Sequence, residues 1–153
     1  MHRLKKISAV IVALLFTSVI TAQTTGSTVF ESGTEGHKIY RIPAIVQLPS
    51  KTLLAFCEGR VNGSGDFGDI NIVLKKSTDG GVTWSALSTV IDYNNLQAGN
   101  PAPVVDLTDP RYPAGRIFLF YNTGNNDEYS MRMGNGIRAV WYVTSIDAHA
   151  TWP

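Results

Sequence analysis

Two short patterns recur along this chain, and they constrain its fold more than any bulk property does. Ile42-Pro43-Ala44-Ile45-Val46 aligns with Asn100-Pro101-Ala102-Pro103-Val104. Ser77-Thr78-Asp79-Gly80-Gly81-Val82-Thr83-Trp84 aligns with Ser145-Ile146-Asp147-Ala148-His149-Ala150-Thr151-Trp152. The second pair stands further apart than the first, so the loops of the later unit are longer. Around these patterns, runs rich in Val, Ile, Phe and Tyr alternate with Gly, Pro, Asn and Asp clusters. They predict strands near 40–48, 52–59, 69–76 and 84–91, then near 101–106, 116–122 and 137–144. No stretch holds a 3.6-residue period over three turns. Pro43, Pro101 and Pro103 are expected at strand starts or edges, where a missing N–H is tolerated. The class is all-β, and repeated four-stranded units with a motif in each are the signature of a β-propeller. The first unit covers about 40–91. The second, about 99–153, holds only three of its strands.

The octapeptide has a structural reading. Asp79 follows a strand and precedes Gly80-Gly81, which permit positive φ in a tight turn. Its carboxylate can accept from backbone N–H groups across the turn, while Thr83 and Trp84 start the next strand and the indole packs over the turn. Asp79 is therefore a staple and not a catalytic group. In the second copy His149 stands where Gly81 stood, as a strained left-handed residue or in a different turn.

The first residues are set apart from this fold. His2, Arg3, Lys5 and Lys6 precede an apolar run from Ile7 to Ile20, and Thr21-Ala22-Gln23 offers a small-residue cleavage point. That is the form of a secretory signal peptide over 1–22. The run is shorter than the roughly 18 residues of a spanning helix. Cleavage near Ala22 would leave a lead-in, 23–35, and export the chain to a periplasm, a cell surface or the medium. Three of the 13 Lys+Arg lie in the leader and no acid does, so ten basic residues then face 12 acidic ones. That balance argues against a nucleic-acid partner. No later segment is apolar enough to span a membrane.

Cys57 is the single cysteine, so no intrachain disulfide can form. Within Leu53-Leu54-Ala55-Phe56-Cys57 it reads as a small buried hydrophobe. The three His show no metal-ligand spacing, and no cofactor or metal is expected. Asn62-Gly63-Ser64 fits the N-glycosylation pattern, but a bacterial-looking leader argues against its use. Asn125-Asn126-Asp127-Glu128 reads as a solvated loop. Arg138 reads as structural or solvent-facing.

The octapeptide resembles the Asp-box of sialidases and other propellers. Tyr40-Arg41-Ile42-Pro43 is sharper, because it resembles the Arg-Ile-Pro motif that opens the sialidase propeller. Glu58-Gly59-Arg60, Asp66, Ile72-Val73-Leu74 running into an Asp-box, and Gly99-Asn100-Pro101-Ala102-Pro103 repeat that family's order. The likeness runs from about Gly36 to the end, within 36–153. It implies a six-bladed propeller, of which this chain covers about the first two blades. It also implies an exo-α-sialidase that hydrolyses terminal sialic acid from glycoproteins, glycolipids and oligosaccharides with retention.

Residue by residue, Arg41 matches the first of three arginines that bind the sialic acid carboxylate, for which a guanidinium is well shaped. Asp66, in the glycine-rich segment 63–69, matches the acid/base aspartate, with Asp69 a rival in the same loop. Arg60 matches a second pocket arginine near the sugar's 4-hydroxyl. Asn100 falls where many bacterial sialidases place an aspartate; it is a site residue or a turn residue. The family's tyrosine nucleophile, its glutamate partner and the other two arginines come from later blades, and no tyrosine here matches by motif. The chain is thus expected to be a fragment of a longer enzyme, inactive alone. The alternative is a non-catalytic sialic-acid-binding propeller, in which Arg41 and Arg60 would serve and Asp66 would not be needed.

Overall fold

The structure is a computed structural model that describes residues 26–147 and 151–152. The leader, residues 23–25 and the stretch 148–150, with the substituted His149, lie outside the described residues. Seven strands and one short helix follow in order: β1 (Ile39–Gln47), β2 (Leu53–Arg60), β3 (Ile70–Ser77), β4 (Ser88–Ile91), β5 (Gln97–Asp106), β6 (Arg116–Gly124), α1 (Glu128–Arg132) and β7 (Arg138–Ser145).

Strands β1 to β4 form one antiparallel meander, and β5 to β7 a second. The two meet at a single parallel pairing, Ile70 with Gln97. This is the plan of two adjacent propeller blades, joined side by side in an open sheet. Their shared core holds Leu54, Phe56, Ile72 and Leu74 of the first blade against Ala98, Ile117 and Leu119 of the second. Trp152 adds its ring edge-on to Phe56 at 5.8 Å between centroids, so the second octapeptide clamps the two blades together.

The repeat extends to backbone detail. β1 carries a bulge between Arg41 and Ala44, and β5 carries one between Gly99 and Ala102. Ile42 and Asn100 sit at the same point of each bulge with the same φ of 54°. Asn tolerates that left-handed conformation, whereas a β-branched Ile is strained in it. Pro43 and Pro101 follow directly. They lie within the bulged strands and not at their starts; Pro43 is on the edge strand of the sheet, and each bulge takes its proline out of the ladder. The same device hid the true start of β5. Gln97, Ala98 and Gly99 already pair with Gly124, Thr123 and Asn122, so the strand begins four residues before the expected 101.

Two further differences have local causes. The fourth strand starts at Ser88 and not at 84, since the preceding N–H groups are used elsewhere. Val82 and Thr83 donate to Asp79, Ser85 to the Lys76 carbonyl, and Leu87 to Glu35. The loop expected at 125–128 ends in α1. Asp127 caps it by accepting from the Ser130 N–H at 2.9 Å, and five residues are too few to show a period.

The staple forms in both octapeptides. Asp79 takes the Ser77 hydroxyl and the backbone and side chain of Thr83. Asp147 takes the equivalent groups of Ser145 and Thr151. The Thr83 hydroxyl, with the Thr83 N–H and the Ser77 hydroxyl, holds the Asp79 pKa down to about 2. Among the described residues, no helix is long and apolar enough to cross a membrane.

Candidate active site

Strands β1, β3 and β5 run away from one end of the sheet, and β2 and β6 run back toward it. That end therefore gathers the loop 61–69, the β4–β5 connection and the α1 segment, together with both bulges. The β1 bulge begins just after Arg41, which still pairs with Glu58. The Arg41 carbonyl accepts from the Cys57 thiol at 2.9 Å, which fixes the backbone while the side chain stays half exposed. Cys57 itself is buried, and desolvation pushes its pKa up to about 12, so it is an inert packing group.

Arg41 and Asp66 meet directly, with Nη1 2.9 Å from the Asp66 Oδ1. Arg60 Nη1 reaches the same oxygen at 2.8 Å. One carboxylate oxygen is thus gripped by two guanidinium groups, although the Asp66 side chain is 73% exposed. The Arg60 hydrogen bond, helped by the charges of Arg60 and Arg41, holds the Asp66 pKa below the usual carboxylate range and outweighs the desolvation that opposes it. Asp69 does not take part. It directly precedes β3 and lines a neighbouring cleft with Arg60, Asn62, Gly63 and Phe67.

Arg60 behaves unlike Arg41. Its side chain is only 3% exposed, and its Nε and Nη2 both bond Glu58 Oε2, at 3.0 and 2.6 Å. Burial works against the Arg60 charge, but the Glu58 and Asp66 carboxylates outweigh it and raise its pKa. Glu58 Oε1 turns the other way and accepts the Asn100 N–H at 2.9 Å. Asn100 Nδ2 in turn donates to Asn122 Oδ1 at 2.9 Å. Asn100 therefore sits in the β5 bulge and lines the cleft as well.

The cleft above these groups is lined by Ile42, Glu58, Arg60, Asp66, Gln97, Asn100, Glu128 and Arg138. Arg60, Asp66 and Asn100 are thus brought together around one opening, and Arg41 joins them through its contact with Asp66. Sequence reasoning missed Glu58, Gln97, Glu128 and the place of Arg138, whose Nη2 lies 3.4 Å from Gln97 Oε1 at the cleft wall. Glu58 had a signal. It interrupts an apolar strand two residues before Arg60, so both side chains share one face and a buried acid there needs a cation. Asn122 pairs with Gly99 as Glu58 pairs with Arg41, so extending the repeat would have found it.

The arrangement suits an anionic ligand. Arg41 is accessible and can offer a planar pair of donors to a carboxylate. Asp66 stands beside it on a glycine-rich loop. Among the described residues, no group of three or more His, Cys, Asp or Glu side chains could hold a metal ion.

No protein-family model matches the chain. It is similar to the exo-alpha-sialidase of Arthroderma benhamiae, 33% identical over 139 residues, covering 76% of this chain and 32% of that protein. It is similar to the sialidase of Micromonospora viridifaciens, 37% identical over 108 residues, covering 67% of this chain and 15% of that protein. Among solved structures, Hadza microbial sialidase Hz136 superposes with a TM-score of 0.61 at 23% identity, over 77% of this chain and 25% of that one. The chain thus spans a third or less of the length of these relatives. Through these sequence matches, with the propeller fold as support, the chain belongs to the sialidase family.

Proposed function

We propose that the protein is a retaining exo-α-sialidase acting on terminal sialic acid of glycoproteins, glycolipids and oligosaccharides. The observation that carries this reading is the pairing of an accessible arginine, Arg41, with a loop carboxylate, Asp66, at 2.9 Å. Arg41 would bind the carboxylate of the sugar. Asp66 would pass a proton to the glycosidic oxygen as its bond to the anomeric carbon breaks, then take one from water in the second step. A tyrosine nucleophile suits this substrate, because an anionic one would be repelled by the sugar's own carboxylate. No residue described here is assigned that role, and we place it, with the remaining carboxylate-binding arginines, in residues of a longer protein.

The lowered pKa of Asp66 bears on this role, since a proton donor must hold its proton. In our reading the substrate resolves the conflict. Its carboxylate competes for Arg41, removes one counter-charge from Asp66 and adds a negative neighbour, and both changes raise the Asp66 pKa. The same clamp favours a second reading, a sialic-acid-binding propeller in which Asp66 stays ionised. Incubating the full-length protein with an α-sialoside and following the product by proton NMR separates the two. Retaining hydrolysis releases α-sialic acid first, which then mutarotates. First appearance of the β-anomer would contradict retention, and carboxylate-dependent binding without turnover would favour the binding module. We infer export as well, with the mature chain starting near Gln23; retention of Met1 in a soluble exported product would overturn that.

A further inference from the structure

We infer that the buried Glu58–Arg60 pair is a positioning device for the Asp66 loop, with Arg60 serving as the loop's anchor. The inference rests on the reading of Asp66 as the acid/base group, and it assigns to Glu58 a role in the same site.

The two edges of the Arg60 guanidinium are used differently. Its Nε and Nη2 are seated on Glu58. Its Nη1 collects three oxygens from one short stretch of loop: the Ser64 carbonyl at 2.7 Å, the Gly65 carbonyl at 2.8 Å and Asp66 Oδ1 at 2.8 Å. A planar guanidinium with one edge fixed has the other edge fixed too, so Glu58 sets where the loop's three oxygens must lie. Nothing comparable holds the loop elsewhere. Its other polar ties are the Val61 N–H to the Asp69 carbonyl at 3.1 Å, Lys38 Nζ to the Asn62 carbonyl at 3.3 Å, and Arg41 to Asp66 and, at 3.5 Å, to Ser64. Of these cations only Arg60 is buried.

Glu58 is fixed in turn. Both residues lie on β2, two apart, so they share a face of the strand. The Asn100 N–H reaches Glu58 Oε1 because the β5 bulge has withdrawn it from the ladder. Space is reserved as well: a Cβ on Gly99 would lie 2.6 Å from Glu58 Oε1. The second blade's bulge therefore braces the carboxylate that braces the arginine that anchors the loop. With most of its donors engaged and its side chain 3% exposed, Arg60 has little left for a sugar. Its main work is positioning.

The test uses the full-length protein and Glu58→Gln, with Glu58→Asp as a milder variant that keeps the charge but cannot span both partners. Hydrogen exchange of the 61–69 amides should quicken at least tenfold in Glu58→Gln, while β2 and β3 amides keep their protection. Hydrolysis of a natural sialyl-oligosaccharide should fall about tenfold more than that of an aryl sialoside, whose leaving group departs without full protonation. That excess should vanish when Glu58→Gln is made in an Asp66→Ala background. If Glu58→Gln does not fold, Glu58→Asp should show the same pattern at smaller size. Equal slowing of both substrates, unchanged exchange at 61–69, or loss of protection across the whole blade would each overturn the inference. If Asp66→Ala alone shows no dependence on leaving group, the reading of Asp66 as acid fails. The exchange arm then still decides whether Glu58 positions the loop.

Discussion

At the scale of single residues, the site contrasts two arginines that the sequence assigns to different parts of one pocket. Arg41 is half exposed and bonded to the exposed Asp66, whereas Arg60 is buried and engaged on both edges. Only Arg41 can exchange its partner for a ligand cheaply. Arg41→Ala should weaken binding of sialic acid analogues that keep the carboxylate by roughly 1.5–3 kcal/mol, the usual worth of a charged hydrogen bond. Analogues lacking the carboxylate should lose far less, and calorimetric titration of the full-length protein compares them. Equal losses would remove Arg41 from that role. Arg41 and Asp66 were legible because short motifs with fixed spacing mark them. Glu58 was not assigned, because its importance lies in contacts across two blades: Arg60 within its own strand, Asn100 from the next. Periodicity along one strand gives its face but not its partners.

At the scale of elements, strand order and the staples were legible, and the bulges were not. A bulge breaks the two-residue alternation on which strand reading depends, and in this fold each carries a proline that looks like a strand boundary. The start of β5 was therefore missed by four residues. The octapeptide is different, since its hydrogen bonds are all local and its residue types announce them. It also gives a dependence on pH. The Asp79 pKa is about 2 in the folded chain against an ordinary value of 3.8. A carboxylate depressed on folding adds stability that is fully present above the ordinary value and is lost as pH falls through the folded one. Melting of the full-length protein should therefore decline between about pH 4 and pH 2, and Asp79→Asn should flatten part of that decline. Asp109, also held near 2, supplies another part. An unchanged acid slope in Asp79→Asn would show that the staple's charge contributes nothing.

At the scale of the whole molecule, one face of the second blade stays uncovered among the described residues. Phe118, Phe120 and Tyr142 form a ring cluster with centroids 5.7 to 6.3 Å apart, in which Tyr142 is strongly exposed, as is Val140 on the same strand. Phe120 stands where Phe56 stands in the first blade, and Phe56 is buried against its neighbour. The repeat was readable in the sequence; which face each blade offers the next became readable only from the register. The core between the blades sets Arg60 and Asp66 of the first blade in one cleft with Asn100 of the second, and the proposed chemistry depends on that placement. Its most direct test is the rate of Asp66→Ala in the full-length protein on two substrates, a natural sialyl-oligosaccharide and an aryl sialoside. Loss of a general acid typically costs about 10²–10⁴ where the leaving group needs a proton. The oligosaccharide rate should fall by that order, and the aryl rate should fall by much less. Equal losses on both substrates, or the selective loss appearing in Asp69→Ala and not in Asp66→Ala, would contradict the assignment.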